Sequence, residues 1–228
     1  TRAIGMPIDW YGVRVICSVR SLSSGGTRSI YPAARGYSGR MAALPICITG
    51  EPVLHSVAAE VETLNDTLRA LVSDMFDTME AAPGVGLAAP QVGVDARIFV
   101  YDWTDDDAVR WRGVAINPEL LVSPGPIGEA DEEVDSEGCL SVPGERFPLL
   151  RSDRAVLRAI DLDGEPFEIE ATGWLARIFQ HEYDHLDGVL YVDRLAHPHS
   201  KAAAKAIRKR SWGVPGQNWL PGRDHLED

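Results

Sequence analysis

The 228-residue chain is 45% hydrophobic and 25% charged, an ordinary composition for a globular protein with enough apolar material for one core. Its net charge of −12 counts against general DNA or RNA binding, and no apolar run approaches the roughly 20 residues of a membrane span. Three cysteines, Cys17, Cys47 and Cys139, are too sparse and too odd a set for a disulfide framework and fit a reducing compartment.

The charge is uneven. Residues 1–40 hold six Arg and one acid, net +5, which leaves residues 41–228 with 16 bases against 33 acids, net −17. That opening segment is also Ser- and Gly-rich, the composition of a transit peptide, although Met41 is an equally good start for the protein. We expect residues 1–40 to be disordered and without a catalytic role, and residues 41–228 to form one catalytic domain. LPICITG (44–50) reads as a strand, and both Cys17 and Cys47 default to small core hydrophobes.

An amphipathic helix is predicted over residues 65–81. Its stripe of Leu68, Leu71, Val72, Met75 and Met79 reads as core packing rather than a cofactor box. APGVGLAAPQVGV (82–94) follows, a turn-rich stretch where backbone can approach a ligand closely. It lacks the G-K-[ST] of a phosphate loop and, taken alone, reads as a plain helix-to-strand connection. RIFVYD (97–102) and GVAINP (113–118) read as strands.

Cys139 lies in DEEVDSEGCLSVPGERF (131–147), between Gly138 and a Pro-Gly turn. A loop cysteine in polar sequence is a poor core residue and a candidate thiolate ligand. VLRAIDLDGEPFEIEATG (156–173) reads as a hairpin turning at Asp163-Gly164. A second helix is expected from Thr172-Gly173, through Trp174, Leu175, Ile178 and Phe179, to a stop at Gly188. KAAAKAIRKR (201–210) reads as a basic helix, and SWGVPGQNWLPG (211–222) as a turn-rich tail with no assignment. The layout is α+β: small mixed or antiparallel β-sheets packed around a central helix.

That helix contains H-E-x-x-H: His181, Glu182 and His185. Residues i and i+4 share a helix face, so both imidazoles can meet one ion while Glu182 borders it as a general base. The bland alternative is a solvated helix with two incidental histidines. A metzincin would continue to a third His, but Tyr191 stands at that position, and His197 and His199 are out of register. Beyond residue 191 the only Glu is Glu227, so the third ligand is sought upstream. Cys139 would complete a set with an open fourth position, yet spacing does not decide whether residues 139 and 181 meet.

GVGLAAPQ (84–91), EGCLS (137–141) and QHEYDHLDG (180–188), in that order, resemble the three signature motifs of peptide deformylases. PICITGEPVLHSVAAEV (45–61) is similar to that family's N-terminal strand and loop, and VPGERF (142–147) to its type 1, bacterial and organellar group. The resemblance covers about residues 43–195. It implies hydrolysis of the N-formyl group from the initiator methionine of nascent polypeptides, releasing formate. Cys139, His181 and His185 would bind one divalent metal, and Glu182 would be the acid/base acting on a metal-bound water. The Gln91 amide and the Leu140 N–H would receive the oxyanion, Gly86 would offer main chain to the substrate, and Glu137 and Arg146 would border the site.

The implied metal is Fe2+, whereas thiolate and imidazole chemistry by itself suggests Zn2+, with Co2+ or Ni2+ also compatible. The implied partners are N-formylmethionyl peptides and, through residues 201–210, the ribosome; a solvated helix face is the plainer reading of that basic run. The expected location is a bacterial cytoplasm, or an organelle if residues 1–40 are a transit peptide. Two other classes remain at this point: a metalloendopeptidase and a non-catalytic metal-binding module.

Overall fold

The computed structural model describes residues 43–226. The expectations for residues 1–40, Cys17 included, lie outside the described residues. The described part is α+β, with nine strands in three antiparallel sheets. The largest sheet has five strands in the order β2 (Gly86–Ala88), β3 (Ile98–Thr104), β4 (Arg110–Val122), β7 (Arg154–Ile160) and β8 (Pro166–Thr172). Two small ribbons pair β1 (Ile46–Cys47) with β9 (Asn218–Trp219), and β5 (Ser136–Gly138) with β6 (Arg146–Pro148).

Strand alternation gives the large sheet two apolar faces. Ile98 and Val100 point to one side, where they join Val72, Met75 and Met79 of α1 (Asp66–Ala81). The Asn65 side chain caps that helix by accepting a hydrogen bond from the Leu68 N–H at 3.0 Å, and the buried stripe follows the expected spacing. Phe99 and Tyr101 point to the other side, against Leu175, Ile178 and Phe179 of α2 (Gly173–Leu186). The Phe179 ring meets the Tyr101 ring edge-on at 5.1 Å and lies 6.1 Å from that of Phe99. The third helix, α3 (His199–Lys209), buries only Ala203.

Strand β4 is longer than the predicted 113–118, for a local reason. Asn117 adopts a left-handed backbone (φ 48), the pairing slips between Ile116 and Glu119, and the strand continues to Val122. Asn tolerates that conformation better than most residues, and a bulge bends a strand without ending it. The Asn117 side chain also binds both backbone groups of Val61, at 2.8 and 2.9 Å, which anchors the loop before α1. The hairpin turn forms as expected, with Gly164 at φ 84.

Phe179 is the contact that seats α2 on the sheet. Phe179→Ala removes a fully buried ring and is expected to cost about 3–5 kcal/mol, read as a lower urea midpoint at unchanged slope.

Candidate active site

A cleft of about 430 Å³ opens between the Gly84–Gly86 segment, the stretch around Cys139 and one face of α2, and its walls include Gln91, Glu137, His181 and Glu182. The structure brings together the three candidate ligands that spacing left unconnected. Cys139 Sγ lies 3.3 Å from His185 Nε2, which lies 3.2 Å from His181 Nε2, and the three donor atoms all fall within 4.8 Å of one another. Donors sharing a tetrahedral ion at about 2.1 Å (N) and 2.3 Å (S) stand about 3.3–3.6 Å apart, so this set fits a metal. Cys139 is buried among Leu54, Val142 and Tyr191, although its flanking sequence is polar.

Three hydrogen bonds converge on the cysteine loop. The Ser141 N–H donates to Cys139 Sγ at 3.4 Å, and the Gln91 amide nitrogen reaches that sulfur at 3.7 Å and Ser141 Oγ at 3.5 Å. The Gln91 carbonyl oxygen accepts from the Ala88 N–H at 2.8 Å, which turns the NH2 end toward the cleft.

Glu137 does more than border the site. It binds His181 Nδ1 at 2.7 Å, leaving Nε2 of that ring facing His185. It also accepts two bonds from Arg151, at 2.7 and 3.1 Å, and one from Arg177 at 3.1 Å. Arg151 continues to Asp184 at 2.6 Å, and Arg194 closes on the same carboxylate. Sequence reasoning missed Arg151, Arg177 and Asp184. Asp184 sat in plain view inside the motif helix, but its partners lie 33 and 10 positions away, outside the helix, and leave no periodic trace. Arg146 lines the cleft and donates to the Ser136 carbonyl at 3.2 Å.

The two carboxylates of the site are pushed in opposite directions. Burial alone would raise Glu137, but His181 and Arg151 outweigh it and hold this group below the usual carboxylate range. Burial raises Glu182 to about 7, with the His181 charge opposing and the Glu137 charge adding. Glu182 Oε2 has no hydrogen-bond partner among the described residues. Burial and the adjacent His181 keep His185 well below its ordinary value, hence neutral. Burial would lower His181 too, yet Cys139 and Glu137 together raise it well above its ordinary value.

Gly86 meets Glu182 directly: a Cβ on that glycine would collide with the Glu182 carboxylate. Sequence had suggested only a main-chain role for Gly86.

The sequence pattern of the polypeptide deformylase family matches residues 43–201. The chain belongs to that family. Its similarity to a peptide deformylase of Mycolicibacterium smegmatis is 51% identity over 189 residues, covering 80% of this chain and 96% of that protein. A crystal structure of a Legionella pneumophila peptide deformylase aligns with TM-score 0.64 at 40% identity, over 75% of this chain and 96% of the other. A Met-Ala-Ser-bound peptide deformylase of Acinetobacter baumannii aligns with TM-score 0.60 at 36% identity, over 68% and 100% of the two chains. The family membership makes this deformylase a hydrolase. Among the described residues no helix is long and apolar enough to cross a membrane.

The Gly86 contact yields a direct test. Gly86→Ala must displace the Glu182 carboxylate, so kcat is expected to fall at least tenfold while bound metal, measured by elemental analysis, stays at the parent level.

Proposed function

We propose that this deformylase hydrolyses the N-formyl group of formyl-methionyl peptides, with Cys139, His181 and His185 holding one divalent ion, Fe2+ by family resemblance. The observation that carries this reading is the meeting of those three donors beside an unpaired, buried carboxylate in an open cleft. The ion, when bound, would polarise the formyl oxygen and lower the pKa of a water toward about 7.

The chain's own residues do the rest. Glu182, with a pKa near neutrality and one free oxygen, takes the proton of the attacking water and later delivers it to the leaving amine. The C–N bond breaks, and formate and a free N-terminus leave. The Gln91 NH2, held toward the cleft, and the Leu140 N–H donate to the oxyanion; one such donor typically contributes about 10²–10³ in rate. Glu137 holds His181 in the tautomer that frees Nε2. The Gly86 backbone packs directly on Glu182, and on this reading that wall leaves little room beyond the reacting carbon. A formyl hydrogen fits there, whereas an internal peptide carbonyl carries a full Cα substituent, which disfavours the endopeptidase reading. The Met-Ala-Ser-bound relative supports a tripeptide product of the same kind here.

Five bases, Lys201, Lys205, Arg208, Lys209 and Arg210, lie exposed on and just after α3. On this reading they meet ribosomal RNA, the enzyme works in a bacterial cytoplasm, residues 41–228 are one catalytic domain, and residues 1–40 take no part.

Two experiments test these proposals. Formate release from formyl-Met-Ala-Ser should fall by about 10²–10⁴ in Glu182→Gln with metal retained, whereas Cys139→Ala should lose metal and activity together. Normal metal content and turnover in Cys139→Ala, or cleavage of an unformylated protein by the parent, would overturn the reading. Replacing the five bases by Gln should weaken co-sedimentation with ribosomes and flatten its salt dependence while sparing tripeptide turnover; unchanged co-sedimentation leaves a solvated helix.

A further inference from the structure

The tail that carried no assignment returns to the site. Trp219, in β9, is fully buried; its ring forms part of the cleft wall, and its indole N–H donates to the Leu140 carbonyl at 2.8 Å. That carbonyl belongs to the Leu140–Ser141 peptide, whose N–H is the one donating to Cys139 Sγ at 3.4 Å. A trans peptide is planar, so its C=O and N–H point in opposite directions, and fixing one end fixes the aim of the other. Trp219 therefore stands at one end of a relay whose other end is the sulfur of the candidate ligand.

The tail is built to hold that indole still. Trp219 pairs with Ile46 across the β1–β9 ribbon, and the Ile48 N–H donates to the Gln217 carbonyl at 3.0 Å. Glu51 accepts from the backbone N–H of Gln217 at 2.9 Å and from that of Gly216. The Thr49 N–H donates to the Ser141 carbonyl at 2.8 Å, so the next peptide of the cysteine loop is tied to the same ribbon. An indole N–H is a donor only, and its buried partner here is a carbonyl beside the reacting groups rather than a distant loop.

We propose that Trp219 is a positioning residue for deformylation, its N–H orienting the Leu140–Ser141 peptide so that this peptide's N–H bears on the Cys139 sulfur. A hydrogen bond to the sulfur draws electron density from it, and outer partners of this kind commonly change metal affinity or activity by 10–100-fold. The inference rests on the deformylase reading above.

The test uses the full chain with 3-(3-benzothienyl)alanine incorporated at position 219 alone, which keeps the bicyclic shape and removes the donor; W219F is the second variant. The readouts are formate release from formyl-Met-Ala-Ser, Tm, and the sulfur-to-cobalt charge-transfer band of the Co2+-loaded proteins. The expected result is a fall in kcat of about tenfold, KM within about twofold, a near-parental Tm for the benzothienyl protein, and a shifted band. A parental kcat and band overturn the proposal. So does a fall in kcat with an unmoved band, or a joint collapse of Tm, KM and kcat in both variants, which would make Trp219 a packing residue only. A parent that releases no formate instead defeats the deformylase reading, so the two failures are distinguishable.

Discussion

Arg151 lies buried between Glu137 and Asp184, at 2.7 and 2.6 Å, and those carboxylates are themselves almost wholly withdrawn from water. Arg177 adds Asp135 and a second hold on Glu137, and Arg194 adds a second hold on Asp184. Three guanidiniums thus face three carboxylates, and the sum of charges is zero. Desolvating each ion costs several kcal/mol, so such a network is weak evidence for net stability. Its geometric consequence is clearer. Glu137 stands two residues before Cys139, while Asp184, Arg177 and His181 all belong to α2, so the network locks the cysteine strand to the motif helix. Removing Arg151 would strip one partner from each of two buried carboxylates at once, which is the costly way to break such a set.

The same lock divides the labour between two carboxylates. Glu137, ringed by cations, stays anionic through the whole ordinary pH range and can only accept hydrogen bonds. Glu182 is one helix step from His181 and equally buried, but among the described residues no guanidinium is hydrogen-bonded to it. Burial therefore outweighs the more distant Arg151 charge and lifts it to about 7. Environments that push two acids apart in this way separate a fixed orienting charge from a group able to take and return a proton.

Much of this arrangement was legible in the sequence because it is written in local periods. The α1 stripe, the β7–β8 hairpin with its Asp-Gly turn and the α2 spacing all follow from neighbours within a few positions. What stayed hidden depends on pairing across long separations. Arg151 meets Asp184 over 33 positions and Trp219 meets Leu140 over 79, and neither leaves a pattern that a window of residues can reveal. Asn117 shows a third kind of loss: a left-handed residue beside a proline looks like a strand end, yet the bulge it makes carries β4 four residues further. Cys139 reads in the sequence as a poor core residue because its flanks are polar, yet it is buried, and the apolar groups around it include Leu54 and residues from beyond α2.

Those long-range contacts also account for the order in which the chain visits its site. Gly86 and Gln91 come from β2 and the short helical turn after it, Glu137 and Cys139 from the β5 ribbon and its end, and the histidines from α2, three pieces about 45 residues apart. The five-stranded sheet brings the first and third together, since β2 and α2 pack against each other, but the β5–β6 ribbon is not part of that sheet. It is held from two sides instead, by the arginine network toward α2 and by the β1–β9 ribbon through Thr49 and Trp219. A piece outside the main sheet has no ladder joining it to that sheet, so its position comes from side chains and from isolated backbone bonds such as that of Thr49 to Ser141. That is why the buried ions tie residues 135–137 to the histidine helix and the buried indole holds Leu140, while the helix itself is seated on the sheet by Phe179.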